Sequence, residues 1–300
     1  MLKRKLGLLL AGAGLFAAPA LAEAPAAKLP DADPAIWVVK DPDTTIYLFG
    51  TFHALDGKSD WFNEEVKTAF DRSGELVLEI PPMDDKAALQ PVIMKYALDT
   101  SGKPLSEKLS PAARAKYTKA LAELGAPPTA FDRFRPFFAT LTLVMAKAQK
   151  LGFTGESGAE AVLTKAAKDG KKPISGLETI DFQMGLFANM SDAEQVKMLE
   201  QTLDELDQAA AMFAKMNAHW TKGDSEGMAT LMNEMDAQSP AFYKALIVDR
   251  NANWADWIDK RLAKPGVVFV GVGAGHLGGK DSVQNLLRKR GIKSARVAAE

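Results

Sequence analysis

Two stretches of the chain share one hydropathy pattern. "TIYLFGT" (45–51) and "VVFVGVG" (267–273) are short apolar runs, rich in β-branched and aromatic residues, that end in glycine-bearing turns. Runs of this length and composition predict buried strands. A similar run, "IWVVK", precedes the first across Asp41-Pro42-Asp43, a cluster that predicts a hairpin turn. Beyond it, Trp61, Phe62, Val66 and Phe70 recur at helical spacing between a Ser59 cap and a Gly74 stop, and "ELVLEI" forms a third strand closed by Pro81-Pro82. The second run leads into a helix over "DSVQNLLRKRG" and a closing strand, "SARVA". The order strand, Gly-x-x-His, helix, strand thus occurs twice, at 45–80 and 267–298.

From about residue 84 to 259 the periodicity is helical. Ser110-Pro111 opens a helix that runs to Gly125, and the capping box Ser191-x-x-Glu194 opens a long amphipathic stretch reaching His219. "KKPISGLE" predicts one short strand within this region. The pattern therefore predicts an α/β fold with α+β character. A small central mixed sheet forms from the N- and C-terminal parts, its two Gly-x-x-His units side by side, with a large helical insertion between them.

Composition changes the picture at the N-terminus. Lys3, Arg4 and Lys5 precede an apolar run, Leu6 to Ala18, and Ala20-Leu21-Ala22 has the small-x-small form of a signal-peptidase site. The run is shorter than the roughly 20 residues that cross a bilayer, so it predicts a signal cleaved after Ala22 rather than an anchor. A periplasmic or secreted protein that is not integral to the membrane follows. Residues 23–34 are small, Pro-rich and polar and predict a flexible lead, which leaves 35–300 as one domain. Loss of the three signal cations from a total of 37 Lys and Arg leaves 34 against 38 Asp and Glu, a net charge of −4. That balance argues against nucleic acid as a partner. The absence of cysteine excludes disulfides, thiolate metal sites, a cysteine nucleophile and a lipidated cysteine anchor.

The candidate chemistry starts from the histidines. Of three in the chain, His53 and His276 each stand three residues after a glycine, Gly50 and Gly273, just past a strand's C-terminal end. Ligand sites of α/β proteins assemble there. Gly50, Gly273 and Gly275 would free the backbone to turn and let another group come close, and two neutral imidazoles brought together would hold a divalent metal. The competing reading is a pair of turn histidines bonded to backbone. Glu79, ending the third strand, is either a metal ligand or general base, or an edge-strand acid facing solvent. Glu160 and Glu178 are candidate second carboxylates, although on spacing alone surface charge is the plainer account. Arg250 and Trp254 share a helix face, where a buried arginine would steady a carboxylate or an oxyanion and an exposed one would do neither. Gly273-x-Gly275-x-x-Gly278 matches the dinucleotide fingerprint, but too little chain follows to complete the mononucleotide-binding half. His219 reads as a helix-end histidine facing the dipole.

Taken together, "PAIWVVKDPDTTIYLFGTFHAL", "ELVLEI", "GAEAVLTKAAKDGKKPISGLETIDFQ", "RNANW" and "FVGVGAGHLGG" resemble the TraB/GumN family, which is related to the TIKI proteins and to the ChaN-like and erythromycin-esterase-like group. The resemblance implies that His53, His276 and Glu79 are site elements, and it marks Glu160, Glu178 and the pair Arg250-Asn251. TIKI-type members imply metal-dependent peptide hydrolysis with manganese or cobalt, esterase-like relatives imply ester hydrolysis without an obligatory metal, and ChaN-like ones imply haem binding. The expectation is an exported hydrolase of amide or ester bonds. In it His53, His276 and Glu160 hold Mn, Co or Zn, while Glu79, Glu178 and Arg250 activate water and stabilise charge. The alternative is a non-catalytic haem- or metal-binding protein of the periplasm.

Overall fold

The computed structural model describes residues 28–83 and 86–299, with the backbone alone at 86 and 232–238. The expected signal, 1–22, and the first part of the lead lie outside the described residues. Strands β1 (Ile36–Lys40) and β2 (Thr44–Thr51) form the expected hairpin. The Asp41 carboxylate closes its turn by accepting from the Thr44 N–H at 2.7 Å and the Asp43 N–H at 3.2 Å. With β3 (Glu75–Leu78), β4 (Ile174–Gly176), β5 (Gly266–Gly273) and β6 (Ser294–Arg296), they make one mixed sheet in the order β4-β3-β5-β2-β1-β6. The two Gly-x-x-His strands are direct parallel neighbours, Gly50 opposite Val272 and Thr51 opposite Gly273.

Alternation along the strands explains the layering. Phe49, Leu76, Leu78 and Phe269 pack on one face with Val66, Phe70, Leu163 and Trp220. Ile46, Leu48, Val77 and Val270 pack on the other with Trp254, Ile258 and Leu287. Central parallel strands covered on both faces must be apolar throughout, which is why "VVFVGV" shows no alternation. A third cluster, including Tyr117, Leu143, Leu199 and Leu203, gives the helical insertion a core of its own.

Three boundaries differ from expectation. The helix after β2 is Glu64–Arg72 and does not start at Ser59, because Trp61 is drawn into the core, stacked on Phe49 with centroids 5.5 Å apart. Asn63, at the cap position, donates instead to Asp31 at 2.7 Å. Residues 30–33, expected within the flexible lead, are thereby tied down: Ala32 is buried and its N–H donates to Asp60 O, while Asp33 N–H donates to Thr221 O. The long stretch from Ser191 keeps its capping box but splits at a 3-10 turn, Leu206–Gln208, into Asp192–Glu205 and Ala209–Thr221. His219 lies in the last turn of the second helix as expected, bonded to Asp224 at 2.8 Å.

Candidate active site

The C-terminal ends of β2, β5 and β3 lie side by side, and three loops leaving them bring His53, His276 and Glu79 to one edge of the sheet. None of Gly50, Gly273 and Gly275 has a positive φ, so they do not serve by conformational freedom. Gly50 and Gly273 serve by lacking a Cβ. At Gly273 a Cβ would stand 3.2 Å from the Glu79 Oε1, closing the approach by which the Gly273 N–H donates to that oxygen at 2.7 Å.

Arg250 organises the floor of the site. Its side chain is buried, and all its N–H groups are engaged. Nε donates to both Glu178 oxygens at 2.9 and 3.1 Å, and Nη2 donates to Glu79 Oε2 at 2.6 Å and Glu178 Oε2 at 2.9 Å. Nη1 donates to Leu246 O at 3.2 Å and to His276 Nε2 at 3.1 Å. The Leu246 carbonyl is offered by a π-helical turn, Lys244–Val248, that precedes the helix Asp249–Leu262 carrying Arg250. Trp254, one turn on, lies under the guanidinium at 4.7 Å and donates to Glu178 Oε1 at 2.9 Å. Gln183 bridges the two carboxylates, 3.0 Å from Glu79 Oε2 and 2.8 Å from Glu178 Oε2.

His276 is buried against Trp254, with ring centroids 4.4 Å apart. Its Nδ1 lies 2.6 Å from Asn251 Oδ1. Because guanidinium can only donate, Nε2 must accept from Arg250 and Nδ1 must carry the proton. Burial pushes the imidazole down to about 3, with Arg250 adding to the effect and Glu79 opposing it, so the ring is neutral near pH 7. Burial alone would raise Glu79, but the charges of His276, Arg250 and His53 and the Gly273 N–H outweigh it and hold the carboxyl down to about 2. With His276 neutral, Arg250 supplies the decisive charge.

His53 stands apart from this floor, on the wall of a cavity of about 420 Å³ that Glu79, Glu160 and Gln183 also line. Its Nδ1 is 2.7 Å from Glu160 Oε1. The helix Ala159–Asp169 delivers Glu160, and its start is pressed on the end of β2: Ala159 N–H donates to Phe52 O at 3.1 Å. Gly158 makes this possible, since a Cβ there would overlap the His53 carbonyl. The Glu160 carboxylate raises the His53 imidazole, against desolvation, to as much as about 9. The side chain is 68% exposed, so water screens the pair. Glu160 is lowered in turn: burial opposes this, and His53 and the nearby Thr51 hydroxyl prevail.

The residues do not fit a divalent ion shared by the two histidines. Both nitrogens of His276 are committed, and the adjoining position is filled by a permanent cation, Arg250. Among the described residues, the only trio of His, Asp or Glu ligand atoms within 4.8 Å of one another is Asp31, Asp33 and Glu64, none of which lines the cavity. The expected trio His53, His276 and Glu160 is thus not brought together. Glu178 and Arg250 are placed in the site but beneath it, with no donor of Arg250 left for a substrate oxyanion. Sequence reasoning missed Gln183, Trp254 as a donor, the π-helical turn and Gly158. Only Gly158 had a signal, in its spacing before Glu160.

The sequence model described as the TraB/PrgY/gumN family matches residues 35–296. The chain is 29% identical over 166 residues to the uncharacterized protein YbaP of Escherichia coli (strain K12), covering 55% of this chain and 61% of YbaP. It thus spans about three-fifths of that relative's length. It is 23% identical over 270 residues to an uncharacterized protein of Treponema pallidum (strain Nichols), covering 85% of this chain and 80% of that protein. No solved structure matches.

Proposed function

The chain belongs to the TraB/PrgY/gumN family, and we propose that it is a hydrolase of amide or ester bonds in which His53 activates a water molecule. The observation that carries this reading is the His53–Glu160 pair on the cavity wall. A carboxylate at 2.7 Å holds Nδ1, leaving Nε2 without a partner among the described residues. Neutral His53 takes a proton from water at Nε2 as the water attacks the carbonyl carbon, and Glu160 steadies the imidazolium that forms. The leaving amine or alkoxide recovers that proton as the C–N or C–O bond breaks. Glu79 is too weak a base for this step, its oxygens being occupied by Arg250, Gln183 and Gly273. Its task is to give the cavity a fixed negative floor. Placement in an exported compartment rests on residues 1–22 alone. No described helix is long and apolar enough to cross a membrane.

The test is a screen of neutral peptides and p-nitrophenyl esters with and without a chelator. The expected result is turnover that resists EDTA and falls about 10²–10⁴-fold in His53→Asn, the usual worth of a general base. Turnover abolished by EDTA and restored by manganese, cobalt or zinc would overturn the metal-free mechanism. A Soret band on adding haem, with no turnover, would favour the binding-protein reading.

A further inference from the structure

Across Gly155 from the His53 cavity lies a second cavity of about 490 Å³, and Gly155 lines both. The second cavity is bounded by the helix Pro136–Lys150 and the loop that follows it. Leu141, Met145, Ala146 and Phe153 supply its apolar lining. Phe153 is fixed in place, 8% exposed and stacked on Phe213 with centroids 5.3 Å apart. Met145 is 47% exposed on the same cavity, so an apolar and adaptable side chain faces solvent where a ligand would cover it.

Charge narrows the class of ligand. Among the described residues no lysine or arginine lines either cavity, whereas Glu79, Glu160 and Glu156 do. Phosphorylated or carboxylate-headed substrates find no cation among the described lining residues beyond His53, which Glu160 already pairs. The saddle between the cavities is open because residue 155 has no side chain, and a Cβ built there meets nothing within 4 Å. The two volumes together fall in the range that buries most of a drug-sized ligand, about 300–1,000 Å³.

We propose that the second cavity is a subsite for the apolar acyl arm of an uncharged or cationic amide or ester, which crosses Gly155 to present its carbonyl at His53. The proposal rests on the hydrolase reading of the His53 cavity for its chemistry, and on the second cavity for the arm. Chain length is therefore the property to vary.

The experiment measures kcat/KM for uncharged p-nitrophenyl esters from acetyl to decanoyl, in the wild type, Gly155→Trp and Met145→Lys, with circular dichroism to check folding. In the wild type the decanoyl-to-acetyl ratio should rise, by up to about fourfold for each methylene that becomes buried. Gly155→Trp puts a bulky ring on the saddle from a Cβ that meets nothing within 4 Å, and Met145→Lys puts a charge in the apolar wall. Each should bring the ratio back towards one. A wild-type ratio near one, or a ratio unchanged in both folded variants, would overturn the subsite. If no ester of any length is turned over, the hydrolase reading fails and the subsite is still decided by binding. Nile red fluorescence should then rise with the wild type, be displaced by decanamide but not acetamide, and weaken in both variants. Absence of that displacement would overturn the subsite as well.

Discussion

Replacing Arg250 by Met should be among the most damaging single changes in the protein, and the damage should depend on pH. The substitution keeps most of the side-chain volume but leaves Glu79 and Glu178 without their cation. Their side chains are only 12% and 7% exposed. Removing one partner of a buried charge cluster costs about 3–5 kcal/mol. Only the direct cost of losing the cation enters that figure, since Gln183 and Trp254 continue to donate. At neutral pH the loss should appear as a lower denaturation midpoint with an unchanged slope. The sign with pH follows from Glu79. Its folded pKa of about 2 lies below its ordinary 4.5, so its ionised form stabilises fully above 4.5, and that contribution is lost as pH falls towards 2. In the Met variant burial remains and the chief cation is gone, so Glu79 titrates higher and is relieved by protonation at mildly acid pH, where the wild type is not. His276 acts in the same direction, because loss of Arg250 removes one of the causes that depress it. Urea denaturation at pH 7 and pH 5 should therefore show the gap between the two proteins narrowing as pH falls. A gap below about 1 kcal/mol at pH 7, or one that does not change with pH, would refute the account of the buried floor.

Three further outcomes are expected. The rising limb of the pH–rate profile follows deprotonation of His53, which Glu160 places above 6.5; Glu160→Gln should move that limb to lower pH, and an unmoved limb would separate the pair from catalysis. Gly158→Ala should cost about 1–3 kcal/mol, by forcing the helix Ala159–Asp169 off the His53 carbonyl, and should lower kcat more than Glu160→Gln alone; thermal melts and initial rates read both. His276 is buried neutral with its pKa depressed to about 3, so the wild type should lose stability progressively as pH falls from 6.5 towards 3; His276→Gln should flatten that slope in a denaturation series.

What the sequence made legible was whatever local rules decide. Strand runs, the Asp41 turn, the Ser191 box and the glycine stops are written in a few adjacent residues. The pairing of β2 with β5 was inferable because two distant segments repeat one pattern. The fate of the histidines was not. Whether an imidazole binds a metal or accepts from arginine depends on what lies across from its nitrogens, and Arg250 reaches His276 only after a π-helical turn that no local periodicity announces. Trp61 likewise left the helix expected of it because an aromatic core assembled from Phe49 and Trp220 outcompeted a helical first turn. Of the two services expected of the motif glycines, close approach, to Ala274 at Gly50 and to Glu79 at Gly273, is the one they provide, and backbone freedom is not.

The position of β5 in the sheet bears on when the site is assembled. β5 sits between β2 and β3, yet it is made only after the whole helical insertion, and its end meets Glu79 across 194 residues of sequence. Until residues 266–276 emerge, β2 and β3 have no native partner on their facing edges, and Gly273 and His276 are absent from the floor. Such long-range pairing is slow to form and leaves strand edges open in the meantime. A nascent chain therefore carries His53 and Glu160 without the anchored Glu79 floor beside them. Completion of the sheet at β5 acts as a built-in timer, tying assembly of the site to the pairing of strands far apart in sequence.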